Sequence, residues 1–236
     1  MKRARNTQPI RVLHVGPGWG QRGGIASVLD ELKTLSQVFS MRNVCMRFCE
    51  THGFNGGGGI LRFFLTDLPN FVRGLIIGTD IVHLHVSVKG SFYRKLVFCA
   101  IAVTLRKRIV FHLHAGNFST FVRGSTRFVA IVARRFLNAS SAMIGVSHAI
   151  AQEIAGLGGD RARLFVVGNS ASLAERAFVD VAPRKAATVH EPPCILFAGR
   201  LVETKGVGDL LHAIALLTGQ GFRVNLIVAG SGDLKR

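Results

Sequence analysis

Short apolar runs recur along the chain, at residues 10–15, 44–48, 80–85, 108–114, 142–146 and 164–167. Most are rich in Val, Ile, Leu and Phe without strict alternation, a pattern typical of parallel strands covered on both faces. Between them, residues 24–39, 92–105 and 126–136 have apolar residues at helical spacing. Alternating strands and helices predict a doubly wound α/β fold built on a parallel sheet.

A change in composition divides the chain. Residues 179–193, VDVAPRKAATVHEPP, are polar, rich in Ala and punctuated by Pro, as is typical of an interdomain linker. A strand at 195–198, a helix at 208–217 and a strand at 224–229 then predict a second β-α-β unit. That unit is far shorter than an independent domain of about 100–150 residues. We therefore expect an N-terminal Rossmann-like domain at 1–178, a linker at 179–193 and an incomplete second Rossmann-like domain at 194–236.

The charge balance favours an anionic partner. Lys and Arg number 30 against 13 Asp and Glu, a net charge of +17, which attracts nucleic acid, anionic lipid or phosphorylated substrates. Because the sequence has no basic tail and no RNA-binding signature, we expect no nucleic acid partner. The four cysteines form no Cys-x-x-Cys pair, and we expect buried thiols in a reducing, cytoplasmic compartment.

The sequence predicts no signal peptide and no transmembrane helix. Its basic N-terminus lacks an apolar core, and the longest stretch without charged residues, 136–152, is short and contains polar residues. Residues 91–108 combine an apolar face with basic ends, which suits a membrane surface. They also fit a core helix with charged ends, which is the interpretation we favour. A core helix could also contact a membrane surface, so the two interpretations are compatible. Peripheral attachment to the inner face of the cytoplasmic membrane is therefore an open expectation.

The stretch Gly18-Trp19-Gly20-Gln21-Arg22-Gly23 matches the dinucleotide-binding fingerprint. That fingerprint needs its first glycine directly after the first strand, and the predicted strand ends at Val15, two residues too early. We therefore favour another use, in which Gly23 and Gly24 open a helix whose free backbone N–H groups bind an anion. An NAD-dependent oxidoreductase is the alternative.

Two His-Leu-His motifs place histidines at the ends of two predicted strands: His83 with His85, and His112 with His114. A period of two puts each pair on one face of its strand. Four histidines at adjacent strand ends could bind zinc. No carboxylate or cysteine accompanies them, so we expect no metal site.

Six segments give the chain a family resemblance: GPGWGQRGGIASVLDEL, DIVHLHVS, IVFHLHAG, MIGVSHAI, VVGNS and ILFAGRLVETKGVGDLLHAIALL. Their order resembles that of the family 4 (group 1) glycosyltransferases along nearly the whole chain, most specifically at residues 197–201 followed by Lys205-Gly206. The resemblance implies a GT-B fold and transfer with retention of anomeric configuration. It implies a nucleotide-diphosphate sugar as donor, a saccharide or polyprenyl-linked acceptor, and no cofactor or metal.

The resemblance also implies roles for three residues. Arg200 and Lys205 would grip the donor diphosphate, because fixed cations near a helix N-terminus stabilise the charge that grows on the leaving phosphate. His114, before Ala115-Gly116, matches a cleft histidine that contacts the donor sugar or supports the reaction centre, and is the predicted catalytic residue.

Further cleft positions follow from the resemblance. Ser147 and Asn169 end predicted strands that face the interdomain cleft, although Asn169 is followed by Ser170, where the family usually has glycine. Gly230 and Gly232 resemble the family's glycine loop near the nucleotide.

The family carries an acidic pair further along than Arg236, so we expect either a fragment of a longer enzyme or a truncated product. The predicted function is transfer of a hexosyl group from a UDP- or GDP-sugar to a saccharide or lipid-linked acceptor in cell-surface glycan biosynthesis. The alternative is a catalytically inactive truncated remnant or a nucleotide-binding module.

Overall fold

The computed structural model describes residues 8–18, 21, 23–53, 57–169 and 192–234. The chain forms two compact units, residues 1–173 and 174–236. Of the linker expected at 179–193, all but residues 192 and 193 lies outside the described residues.

Six parallel strands form the sheet of the first unit. They are β1 (Ile10–Pro17), β2 (Val44–Thr51), β3 (Ile81–Val86), β4 (Arg108–Leu113), β5 (Ala142–Gly145) and β6 (Leu164–Val166). Their order in the sheet, β2-β1-β3-β4-β5-β6, confirms the predicted doubly wound fold. The chain runs outward from β1 to β2 and then crosses back to β3. The carboxyl ends of β1 and β3 therefore flank a topological switch point, where open α/β sheets bind ligands.

Helices connect these strands. They are α1 (Gly24–Thr34), α2 (Ser36–Met41), α3 (Gly57–Arg62), α4 (Leu68–Ile76), α5 (Gly90–Thr104), α6 (Phe118–Arg123), α7 (Arg127–Ala139) and α8 (His148–Gly156), with a π-helical turn at Phe63–Asp67 and a 3-10 turn at Arg161–Arg163. The helices predicted at 24–39, 92–105 and 126–136 are confirmed. The helical stretch from α3 to α4, and the shorter α6 and α8, had no counterpart in the sequence prediction.

The apolar core of the first unit lies on one face of the sheet. Successive strand residues point to opposite faces, and the fully or nearly buried Leu13 and Val15 of β1 belong to this core. Helix α5 contributes Phe98, whose ring lies 4.5 Å from that of Phe71. The core helix that the sequence favoured for residues 91–108 is therefore confirmed at α5. No helix within the described residues is long and apolar enough to cross a membrane.

The second unit contains β7 (Cys194–Ala198), a 3-10 turn (Glu203–Lys205), α9 (Val207–Gly219) and β8 (Asn225–Ala229). The two strands pair in parallel, which confirms the predicted β-α-β unit.

The prediction that all four cysteines are buried is right for Cys49 and Cys99 and wrong for Cys45 and Cys194, which are exposed free thiols. Cys45 lies on β2, the edge strand of its sheet, and Cys194 begins a strand of a two-stranded sheet.

Candidate functional site

The glycine loop begins where β1 ends, at Pro17, two residues later than predicted. Gly18 therefore follows the strand directly, and the sequence argument that its register excludes a dinucleotide fingerprint is wrong. The loop leads into α1, whose N-cap is Gly23 with φ of 150°, a conformation that favours glycine. The first turn of α1 has no acidic residue and no side-chain cap, so its backbone N–H groups are open to an anion.

A pocket of about 350 Å³ lies at the carboxyl ends of β1 and β3. We call it the switch-point pocket. It brings together four predicted site residues, Gly23, Gly24, His114 and Asn169, from three separate loops. None of the described residues that line it is acidic.

Lys95 is a pocket residue that the sequence analysis did not single out. Its side chain is only 1% exposed, and its Nζ donates a hydrogen bond to Thr51 Oγ1 over 2.9 Å. The Thr51 hydroxyl in turn donates to the Gly16 carbonyl over 2.8 Å, which fixes its lone pair toward Lys95. The sequence did indicate that Lys95 is buried, because it lies at helical spacing with Phe92 and Phe98 on the buried face of α5.

The charge of Lys95 is poorly compensated. Burial, reinforced by the neighbouring Arg94 guanidinium, lowers the pKa of Lys95 to about 7, against smaller opposing effects of Cys49 and Asp67. Among the described residues, no carboxylate forms an ion pair with Lys95. The pocket therefore holds a buried amine that gains its proton most readily when an anion is present.

Five histidines from three neighbouring strands form a cluster on the face opposite the apolar core. They are His14, His83, His85, His112 and His114. Three short contacts join their rings: His14 Nδ1 to His85 Nε2 at 3.2 Å, His85 Nδ1 to His114 Nε2 at 3.0 Å, and His83 Nε2 to His112 Nδ1 at 3.0 Å. The sequence analysis found four of the five and missed His14, which has no His-Leu-His partner on its own strand.

Burial keeps this cluster uncharged. It lowers the pKa of His14 and of His114 to about 4, and that of His112 to about 3. The pKa values of His83 and His85 lie well below the usual range for the same reason, with smaller contributions from neighbouring histidines. Neutral imidazoles carry one N–H each, so every contact in the cluster pairs one donor with one acceptor.

The contacts from His14 through His85 to His114 form a directional chain. If His85 Nδ1–H donates to His114 Nε2, then His114 carries its own proton on Nδ1. In the reverse tautomer, His114 Nδ1 is an acceptor. His114 Nδ1 and His112 Nε2 are buried atoms with no hydrogen-bond partner among the described residues.

Among the described residues, the candidate ligands for a metal ion are these five histidines. Two overlapping groups, His14 with His83 and His85, and His85 with His112 and His114, have one nitrogen each within 4.8 Å of the others. Neutral imidazole is the form that ligates metals.

A second pocket of about 310 Å³ lies on the other side of the cluster. It is lined by His14, His83 and His112 together with apolar residues of α1 and α2. Asn169 lines this pocket as well as the switch-point pocket, so the loop after β6 borders both.

Ser147 lies at the carboxyl end of β5 as expected. Its hydroxyl accepts a hydrogen bond from the Ile150 N–H over 3.3 Å and caps α8. It is not among the described residues that line either pocket.

In the second unit, the loops after β7 and β8 lie against each other. Leu201 N–H donates to the Ser231 carbonyl over 3.0 Å. A Cβ on Gly230 would overlap the Gly199 carbonyl oxygen, and one on Gly232 would overlap that of Leu201. These two glycines are therefore required for the close approach that holds the loop containing Arg200.

Arg200 and Lys205 are exposed residues at the carboxyl end of β7. Within the described chain, neither forms an ion pair. Lys205 precedes Gly206, which has φ of 71° and is the N-cap of α9. Both cations thus lie in the loop that leads into a helix N-terminus, an arrangement that suits a phosphate.

Comparison with solved structures shows the fold. The chain is similar to Anabaena Alr3699/HepE in complex with UDP and glucose, with a TM-score of 0.54, 17% identity and coverage of 94% of this chain and 61% of that one. It is also similar to the apo form of the lipopolysaccharide outer core galactosyltransferase WaaB, with a TM-score of 0.58, 15% identity and coverage of 95% and 62%. The chain therefore has their GT-B fold and spans about three fifths of their length.

No curated protein matches the chain significantly. The family model described as Glycosyltransferase Family 4 matches residues 41–175, which is more than half of the chain. This match, and not the register of the glycine loop, sets the oxidoreductase alternative aside. The chain belongs to Glycosyltransferase Family 4.

Proposed function

We propose that the chain transfers a hexosyl group from a UDP- or GDP-sugar to a saccharide or lipid-linked acceptor in cell-surface glycan biosynthesis, with retention at the anomeric carbon. One observation carries the proposal beyond the family match. The switch-point pocket gathers the glycine loop, His114 and Asn169 in one lining free of acidic side chains. Such a pocket suits a phosphorylated sugar substrate.

Arg200 and Lys205 are the proposed contacts to the donor diphosphate. HepE has been solved with UDP and with UDP-glucose, which supports a nucleotide sugar as the donor. As the sugar bond breaks, negative charge grows on the leaving phosphate, and two fixed cations stabilise it. In this proposal they take the electrostatic role of a metal ion, so transfer needs no metal or cofactor.

His114 is the proposed contact to the sugar at the reaction centre. Its partly exposed ring lines the switch-point pocket. Its Nε2 contacts His85, and its buried Nδ1 has no hydrogen-bond partner among the described residues. The ring is neutral near pH 7, so it can donate or accept according to the tautomer of the histidine chain.

We propose that the chain works at the cytoplasmic face of a membrane. The net charge of +17 favours anionic lipid. In the helical stretch from α3 to the π-helical turn, Ile60, Leu61, Phe64 and Leu65 are each more than half exposed, and Arg62 lies among them. We expect the protein to float with anionic vesicles at low salt and not with neutral ones. Failure to bind anionic vesicles at low salt would overturn this part of the proposal.

Donor turnover tests the proposal as a whole. The full chain is incubated with UDP-glucose or GDP-mannose, with and without a candidate saccharide acceptor, and proton NMR follows the anomeric signals. We expect released or transferred sugar to have the donor's configuration when it first appears. Sugar of inverted configuration would contradict the retaining mechanism. Nucleotide binding without any turnover would favour a nucleotide-binding module.

A further inference from the structure

The buried amine of Lys95 needs an explanation that the donor site does not supply. An ammonium group has three donors, and Lys95 makes one hydrogen bond, to Thr51, among the described residues. Burying a charge without a partner is costly. A methionine or leucine would fill the same space on α5 without that cost.

The described lining of the switch-point pocket supplies further donors and no acid. Arg94 lines the same pocket, and so does the first turn of α1, with its open backbone N–H groups at Gly24 and Ile25. Ser91, in the first turn of α5, accepts from the Ser87 N–H over 3.2 Å, which leaves its own O–H free to donate into the pocket.

These donors converge from different elements. The first turn of α1 follows β1, Lys95 and Ser91 belong to the helix that follows β3, and the two strands are neighbours in the sheet. A phosphate group presents several strong acceptor oxygens in different directions. It can therefore satisfy the ammonium, a hydroxyl and a helix N-terminus at once.

We propose that the switch-point pocket binds a phosphate group carried by the acceptor substrate, with Lys95 Nζ as its charged donor. The assignment of this phosphate to the acceptor rests on the proposed glycosyltransferase function, in which Arg200 and Lys205 hold the donor diphosphate. The phosphate belongs to a phosphorylated saccharide or to a polyprenyl phosphate, which present the same group to the pocket.

Proton uptake gives this site a signature. An anion beside Lys95 opposes the effects of burial and of Arg94, so binding raises the pKa of Lys95 from about 7. At pH 8 the free amine is largely neutral, and binding draws in a proton in addition to any that the phosphate itself exchanges. Asp67 and Cys49 face the same amine and are present in wild type and variants alike.

The test is a calorimetric titration of inorganic phosphate into the full chain at pH 8, in two buffers with different ionisation enthalpies. The variants are Lys95→Met, which keeps the length of the side chain, and Lys95→Gln, which keeps a donor to Thr51. The matched control is Lys107→Met, which makes the same substitution at the opposite ends of the strands. Thermal melts confirm that each variant is folded.

We expect phosphate affinity to fall at least about tenfold in both Lys95 variants, as for loss of a charged hydrogen bond, and the buffer-dependent proton uptake to shrink. Lys107→Met should match the wild type. Equal phosphate affinity in wild type and both Lys95 variants, or equal loss in Lys107→Met, would overturn the proposal.

Two further titrations distinguish the sources of the phosphate. Glucose 6-phosphate represents a phosphorylated saccharide and farnesyl phosphate a polyprenyl phosphate, and whichever depends more strongly on Lys95 identifies the source. UDP is titrated in parallel. Absence of UDP binding with Lys95-dependent phosphate binding would count against the donor site alone, whereas the reverse result would count against this inference alone.

Discussion

At the scale of single residues, Lys95 and His114 respond to burial in the same direction. Burial lowers the pKa of both bases, to about 7 and about 4. Each is therefore neutral over a wider pH range than the free side chain. Both line the switch-point pocket, so the pocket can gain charge when a ligand supplies the opposite sign.

Replacing Lys95 with methionine should stabilise the protein in a pH-dependent way. The folded pKa of about 7 lies below the unfolded value of 10.5, so the unfolded state binds more protons between these values. The free-energy cost of burying the Lys95 amine is absent above pH 10.5. It grows as the pH falls and reaches its full value below pH 7. We expect Lys95→Met to raise the unfolding free energy by up to about 5 kcal/mol at pH 6.

Urea denaturation of wild type, Lys95→Met and Lys107→Met at pH 6, 8 and 9 measures this effect. The raised pKa values of Cys49 and Cys99 act in the opposite direction above pH 9, and because Lys95 lowers the pKa of Cys49, the comparison is made at and below pH 9. A gain that is the same at every pH would show that packing, and not charge, is responsible.

His114→Ala should reduce donor turnover by about 100-fold or more, because the ring contacts the reacting sugar in the proposed mechanism. UDP affinity should change little, since the diphosphate contacts lie in the second unit. The control is His212→Ala, an exposed histidine on α9. Between pH 6 and 8, turnover should show no ionisation of His114, because its pKa is about 4. A loss of UDP affinity equal to the loss of turnover would contradict this role.

Residue roles were predictable only where a motif or resemblance named them. His114 belongs to a His-Leu-His pair, and its predicted role came from the family resemblance at His114-Ala115-Gly116. Lys95 was missed because its helix read as apolar with basic ends, and the sequence does not show which turn of α5 faces the pocket. His14 was missed because its partners come from other strands.

At the scale of elements, the sheet has two unlike faces. One is packed with Leu, Val and Phe, and the other carries the histidine cluster. All five rings have lowered pKa values through burial, so the unfolded state binds more protons than the folded state below about pH 6.5. Stability should therefore fall steeply as the pH decreases from 6.5 toward 4.

The urea midpoint at pH 7.5, 6.5, 5.5 and 4.5 measures this acid sensitivity. The ion pair of Asp80 with Arg11 loses its contribution only below about pH 4, since the pKa of Asp80 is lowered to about 2. A midpoint that is constant from pH 7.5 to 5.5 would show that the cluster is charged or solvated in the folded protein.

The loops after β7 and β8 give a second prediction at this scale. Gly230→Ala should force the two loops apart, cost about 1–3 kcal/mol and weaken UDP binding, because Arg200 lies in the displaced loop. Gly208→Ala is the control, since a Cβ there meets nothing within 4 Å and alanine favours the helix by about 0.5–1 kcal/mol. Melting temperatures and UDP titrations of both variants check this, and unchanged values for Gly230→Ala would contradict it.

Most elements could be predicted from sequence because their apolar periodicity is strong. All eight strands predicted are present with boundaries within three residues. The end of β1 was placed early because Gly16 and Pro17 resemble loop residues, although both pair with β2. Helix α3 was missed because it begins with Gly57–Gly59, and glycine is a poor helix former.

At the scale of the whole molecule, the two units carry different parts of the proposed site. The first carries a pocket at a topological switch point, and the second carries two exposed cations at a helix N-terminus. Sequence alone indicated this division through the linker composition and the family resemblance. The sequence alone could not predict the switch-point pocket, because its lining residues come from loops far apart in the chain.

Calorimetric titration of UDP, GDP and NADH into the purified chain, in the presence of EDTA, shows whether Arg200 belongs to a nucleotide site that needs no metal. The variants are Arg200→Ala and, as a control, Arg223→Ala. Arg223 has the same charge but precedes β8, whereas Arg200 follows β7. We expect UDP or GDP to bind without metal, Arg200→Ala to weaken binding at least about tenfold, and Arg223→Ala to leave binding unchanged. NADH binding, or nucleotide affinity equal in wild type and Arg200→Ala, would contradict it.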